Sequence, residues 1–193
     1  SLFFNQDLNL LLSVLWILFM TNSVNLLDNS DSIVAGVLTI STLTCAVMAY
    51  VSGQVYVASL SVIISGACFG FLFWNRFPAR MYLGDAGSLF LGVLLAVITI
   101  RLRPENVDGD LLPFIVLFIA AIPILDTTLV ILSRIHRGVS PMIGGRDHIA
   151  HRLREFGYSQ NKVVFILWTL HVYFNLSALA LFFSTNTQGF SVI

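Results

Sequence analysis

Long apolar runs separated by short polar gaps dominate the chain. Six of them approach the roughly 20 residues a helix needs to cross a bilayer: Leu8–Leu27, Ile33–Ser52, Val55–Trp74, Ser88–Leu102, Leu111–Ile131 and Val163–Phe183. The first is apolar only to Met20 and then turns polar, and the fourth is short. No period-two alternation of the kind a membrane β-barrel needs runs through them. The pattern predicts an all-α, polytopic transmembrane helix bundle of six spans, with residues 1–193 forming one transmembrane domain.

Composition agrees with the pattern. Hydrophobic residues make up 57% of the chain, charged residues only 10%, and the mean hydropathy is +0.88; a soluble domain carries about 25% charge. Ten Lys+Arg balance ten Asp+Glu, so no basic field points to nucleic acid. Cys45 and Cys68 lie inside apolar runs and read as buried free thiols. The chain opens at Ser1 with no basic segment and no cleavage site, so no signal peptide is expected.

The charges do more when sorted by side. If the loops alternate between two faces, the first, third and fifth carry Arg76, Arg80, Arg134, Arg137, Arg146, Arg152, Arg154 and Lys162. The opposite face has Arg101 and Arg103 alone. Eight against two makes the first face cytoplasmic by the positive-inside rule and leaves both chain ends outside.

Three polar clusters fall on that same face. Asn22, Asn25, Asp28 and Asp31 recur every three residues, which on a helix makes one polar stripe. Carboxylates so near hydrocarbon suggest a site, or else they cap the helix starting near Ile33. The second cluster, Tyr82-Leu83-Gly84-Asp85-Ala86-Gly87-Ser88, sets an acid among small residues where an apolar helix begins. Backbone amides there can approach an anion, and Asp85 can hold Mg²⁺, which typically takes one or two carboxylates plus phosphate oxygens. A simple capped turn reads equally well. In the third cluster His148 and His151 stand at i,i+3 between Arg146 and Arg152, a composition suited to phosphate or to anionic headgroups. The zinc-protease pattern His-Glu-x-x-His is absent. Asp126, inside the fifth run, needs a partner, and His171 reads as a hydrogen-bonded bundle residue. Together these groups suit a metal-assisted reaction on a phosphorylated substrate at the membrane surface.

On these residues the chain resembles the polyprenyl-phosphate N-acetylhexosamine-1-phosphate transferases of glycosyltransferase family 4, relatives of phospho-N-acetylmuramoyl-pentapeptide transferase. The matching pieces are Asn22 to Asp31, Gly84-Asp85-Ala86-Gly87-Ser88, Pro123-Ile124-Leu125-Asp126 and Arg146 to Leu153. The resemblance implies attack of a polyprenyl (undecaprenyl) phosphate on the β-phosphorus of a UDP-N-acetylhexosamine, with release of UMP, as a first membrane step of cell-envelope polysaccharide synthesis. It places the enzyme in the plasma (inner) membrane with its active-site loops cytoplasmic, in contact with membrane lipid, and allows a homodimer. By motif match Asp28 falls on the central catalytic Asp, as nucleophile or base, and Asp85 on the Mg²⁺ ligand. Asn22, Asn25 and Asp31 would line the substrate pocket, with Tyr82 a uracil-stacking ring. His148 and His151 fall on the catalytic histidine loop, where Arg146 and Arg152 would bind the sugar diphosphate.

Two departures stand out. Asn29 and Ser32 replace both glycines of the family's Asp-Gly-x-Asp-Gly, which bears on backbone geometry more than chemistry. The family's upstream Asp-Asp pair is missing, so the chain reads as the C-terminal part of a longer enzyme, inactive by itself. The alternative class is a proton- or ion-coupled transporter using the intramembrane Asp and His residues; the repeated halves that would support it are absent.

Overall fold

The computed structural model describes residues 6–104, 107, 109–140, 145 and 147–186. Every element among them is helical: α1 (Gln6–Leu27), α2 (Ile33–Val51), α3 (Val55–Asn75), α4 (Gly84–Arg101), α5 (Leu112–Ile119), α6 (Ala121–His136), α7 (Ile149–Glu155) and α8 (Gln160–Asn186). Five of these are long and apolar enough to cross a membrane, and the pair α5 and α6 makes a sixth if counted as one bent span. The all-α expectation holds, and both cysteines are free and buried.

The fifth run departs from expectation. Leu111–Ile131 does not form one straight helix but breaks at Ala120, where α5 and α6 meet at 79°. The cause is in the sequence. Pro123 has no N–H to return to the carbonyl of Ile119, four residues back, and its ring crowds that carbonyl. It fits α6 only because it sits in the first turn, where N–H groups have no intrahelical partner anyway. The fourth helix begins four residues before the predicted Ser88, at Gly84 (φ 65°).

α1 and α4 pack antiparallel, tied at one end by Trp16 Nε1 donating to Thr99 Oγ1 (3.0 Å) and at the other by Asn25 Nδ2 donating to Ser88 Oγ (2.8 Å). Gly92 permits the close approach: a Cβ there would lie 2.7 Å from Thr21 Cα, a backbone atom that cannot swing away. Gly92→Ala is therefore expected to destabilise the protein by about 1–3 kcal/mol, the usual range for overpacking. Thermal unfolding in detergent measures it, and an unchanged midpoint would mean the two helices do not approach as described. Gly36 similarly admits the Trp168 indole between α2 and α8.

The end of α1, the starts of α2, α4 and α8, and the end of α3 are joined at one end of the bundle. Asn75, the last residue of α3, accepts from Ser32 N through Oδ1 (2.9 Å), accepts from Ser32 Oγ through its carbonyl (3.1 Å), and donates to Met81 O (3.0 Å). Gln160 reaches the carbonyl of Asp31 from α8 (3.4 Å). At the opposite end the Gln54 side chain and the Arg103 backbone pair with each other.

Candidate functional site

The polar stripe does not lie on one helix. α1 ends at Leu27, so Asn22 and Asn25 are helical while Asp28 and Asp31 occupy the turns that follow. The helix stops because Asn29 Nδ2 takes the Leu26 carbonyl (3.0 Å) and Asp28 N takes that of Asn25 (3.1 Å), closing the last turn locally. Asp31 does not cap α2; its Oδ2 accepts the Ala79 amide (3.0 Å) and so fixes the loop before α4. Ser32 takes the left-handed conformation (φ 70°), a geometry glycine adopts without cost and other residues at about 1–2 kcal/mol. The two hydrogen bonds to Asn75 offset that cost. Of the two glycine replacements noted in the sequence, only Ser32 thus has a backbone consequence.

This end of α1 faces the start of α4. Asn25 Nδ2 contacts Asp85 Oδ1 (3.2 Å) as well as Ser88 Oγ, and the buried Ser88 hydroxyl donates in turn to Gly84 O (3.1 Å). Ser88 and Asp85 join this first turn to α1 through Asn25, and Asp85 remains exposed at its tip. Asp28 sits half-buried beside it. Burial, then the charges of Asp85 and Asp31, push the Asp28 carboxyl up to about 6. None of the three carboxylates has a cationic partner among the described residues. Asn29 Oδ1, Ser30 Oγ and Gln160 Oε1 are also buried here without hydrogen-bond partners. Asn22 is exposed and donates to its own helix at Leu18 O (2.7 Å), and Tyr82 is exposed on the loop preceding Gly84.

The histidine region is built differently from the i,i+3 face expected. His148 precedes α7 in extended conformation (ψ 150°) and only His151 is helical, their ring centroids 6.1 Å apart. Asp126, 1% exposed, supplies what holds them: its Oδ2 lies 2.7 Å from His148 Nδ1, and its Oδ1 accepts the Ile149 amide at 2.7 Å. One buried carboxylate therefore orients the imidazole and caps the first turn of α7. With Nδ1 committed to Asp126, Nε2 is the ring nitrogen left for a ligand.

Arg152 is tied down as well, through Nε to Asp147 O (2.9 Å) and through Nη2 to Ser133 Oγ (2.7 Å). Asp147 bridges Arg134 (3.0 Å) and Arg137, and the hydrogen bond from Arg134, with Arg137 beside it, holds its carboxyl below the ordinary range. Three guanidinia, those of Arg134, Arg137 and Arg152, thus fasten the loop to the end of α6. Arg146 lies outside the described residues.

The residues singled out in sequence therefore form two groups, Asn25–Asp28–Asp31–Asp85 and Asp126–His148–His151. Sequence reasoning missed Asn75, which clamps three elements, and the Arg134–Asp147–Arg137 bridge. An amide closing an apolar run just before a proline-containing loop was the available signal for Asn75. A cavity of about 700 Å³, lined by Ser32, Arg76, Arg80, Asn161 and Trp168 among others, includes none of the carboxylates.

Comparison with known proteins follows the motifs. Residues 2–103 match the model of glycosyl transferase family 4. The chain is similar to a probable undecaprenyl-phosphate N-acetylglucosaminyl 1-phosphate transferase of Bacillus subtilis, 37% identical over 88% of this chain and 47% of the relative. It is similar also to a phospho-N-acetylmuramoyl-pentapeptide-transferase of Streptococcus mutans (33% identical, 87% of this chain and 52% of the relative). A decaprenyl-phosphate N-acetylglucosaminephosphotransferase of Mycobacterium leprae is 30% identical over 96% of this chain and 51% of its own length. The chain spans about half the length of these curated relatives.

Proposed function

Because this chain belongs to glycosyl transferase family 4, we propose that it carries out, within its enzyme, transfer of an N-acetylhexosamine 1-phosphate from a UDP-sugar to a polyprenyl phosphate, with release of UMP. The observation that carries this reading is the convergence of Asp28, Asp31 and Asp85 without a cation, with Asp28 pushed up to about 6. A carboxylate of that basicity matches the second ionisation of a phosphate monoester, about 6, so a proton can pass from the lipid phosphate to Asp28 at little cost. The freed phosphate oxygen then attacks the β-phosphorus, the bond to the UMP oxygen breaks, and the lipid diphosphate-sugar forms. Asn25 holds Asp85 in place, and His148, its Nδ1–H held by Asp126, donates Nε2–H to a diphosphate oxygen as an imidazolium.

Mg²⁺ fits the residues present: the exposed Asp85 would hold the ion. Such an ion takes one or two carboxylates and completes its shell from phosphate and water. When bound it supplies neutralisation of the diphosphate charge. The buried, unpartnered oxygens of Asn29, Ser30 and Gln160 support a polar ligand at this end of the bundle.

Release of UMP from UDP-N-acetylglucosamine, measured with undecaprenyl phosphate as acceptor and with EDTA as control, tests the reading; no acceptor-dependent release from the intact enzyme would refute it. The proposed side of the membrane has its own test. A cysteine at Phe156, 81% exposed between α7 and α8, should be labelled by a membrane-impermeant maleimide only from the cytoplasm. One at Tyr56, 92% exposed at the start of α3, should be labelled only from outside. Labelling of both from one side would break the alternation and the one-faced site with it.

A further inference from the structure

The break between α5 and α6 leaves a polar problem inside an apolar bundle. With proline at position 123, the Ile119 carbonyl has lost the amide that would meet it in a continuous helix, and an unsatisfied backbone group in a membrane costs several kcal/mol. Ser41, fully buried on α2, donates its hydroxyl to that carbonyl at 2.8 Å. Behind it, Nε2 of the fully buried His171 on α8 lies 2.8 Å from Ser41 Oγ. Ser41 Oγ thus bridges the Ile119 carbonyl and His171 Nε2, and Asn175 Nδ2 lies 3.2 Å from that same ring nitrogen. Asn175 sits one turn further along α8 with its amide on the His171 carbonyl (2.9 Å).

We infer that Ser41 and His171 form a hydrogen-bonded bolt that holds the broken span in its bent form, and that they are thereby positioning residues for Asp126 and His148. The bolt joins three elements, α2, α5 and α8, at the point where proline opens the backbone. α6 starts from that point, and two turns on it carries Asp126, whose carboxylate fixes His148 and the first turn of α7. The direction in which α6 leaves Ala120 therefore sets where the histidine stands. Neither Ser41 nor His171 belongs to the Asp28 or Asp126 groups. The bolt itself stands on geometry alone; its consequence for turnover rests on the transferase reading.

Second-site suppression tests it. Ser41→Ala leaves the Ile119 carbonyl orphaned, and the unfolding midpoint in detergent should fall by about 2–10 °C. Pro123→Ala restores an N–H able to meet that carbonyl. In the double variant the midpoint should recover while the span straightens. Spin labels at the exposed positions Phe114 and Leu132 read the geometry directly, since 18 residues of straight helix place them about 27 Å apart and the 79° bend brings them closer. Ser41→Ala with an unchanged midpoint, or a double variant no more stable than Ser41→Ala, overturns the bolt. For positioning, kcat in the straightened double variant should drop at least about tenfold with KM for the UDP-sugar little changed. Normal kcat in a span shown to be straight overturns the positioning role. If the wild-type enzyme transfers no sugar phosphate, the transferase reading fails by itself, while the midpoint and label-distance cycle still decides the bolt.

Discussion

Asp28→Asn and Asp85→Asn, each introduced into the enzyme containing this chain, are expected to cut UMP release by about 10²–10³-fold, the loss seen when a principal electrostatic group is removed from a reaction centre. The two variants should differ in every other respect. Asp28 is half-buried against two like charges, and its carboxyl is raised from 3.8 to about 6. A carboxylate raised in the folded state binds its proton more tightly there than in the unfolded chain. Its ionisation therefore opposes folding: the penalty is absent below about pH 4, grows as pH rises through the folded value, and is fully present at neutral pH. Asp28→Asn removes a charge the fold resists, so the metal-free variant should unfold at a higher temperature than wild type at pH 7.5, with the gap closing at pH 4. Asp85 is exposed, and its replacement should leave the metal-free midpoint nearly unchanged. Adding Mg²⁺ should raise the wild-type midpoint and leave Asp85→Asn unmoved. Near-normal turnover by either variant removes that residue from the mechanism, and a lower midpoint for Asp28→Asn contradicts the repulsion among the three carboxylates.

The bundle was legible in the sequence because spanning helices are specified by something one-dimensional, an apolar run of sufficient length. The ends of α2 and α3 fall within a residue of the expected limits for that reason. The break at Ala120 was hidden by the same reasoning. Apolar residues continue without interruption from Leu111 to Val130 except at Pro113, Pro123 and Asp126–Thr128, and hydropathy does not register a missing N–H. Pro123 was the only local sign. The site was legible as residue types and spacing but not as geometry. Asp28 and Asp85 are 57 positions apart and meet because Gly92 lets α4 lie against α1, a contact no periodicity announces. His148 and His151 looked like one helical face because spacing cannot show where a helix begins; the helix starts at Ile149, where Asp126 receives the amide. Asp126 was visible as an acid in need of a partner, and the partner proved to be one of those histidines.

That pairing supports the second large expected effect. Asp126→Ala removes the acceptor for both the buried His148 Nδ1 and the partly buried Ile149 amide, leaving two donors with nothing to meet, at a cost of up to about 1–3 kcal/mol each. α7 has only seven residues, too few to hold its helix in isolation, so its order depends on tertiary ties of this kind. Two others remain in the variant, Arg152 to Ser133 and the Asp147 bridge, both anchored on the last turns of α6. The expected result is local rather than global unfolding: the main unfolding transition stays close to wild type while trypsin cuts faster at Arg152 and Arg154 in detergent. Asp126→Asn should fall between, since the amide retains one oxygen and can serve the Ile149 amide or the imidazole but not both. Turnover should drop about 10–100-fold in Asp126→Asn, the range for losing a carboxylate that orients a working histidine, and further in Asp126→Ala. His148→Ala should match Asp126→Asn in turnover yet keep α7 resistant to trypsin, because Asp126 still caps its first turn. If His148→Ala instead frees the loop, the histidine is there to hold structure, and its Nε2 has no claim to the diphosphate.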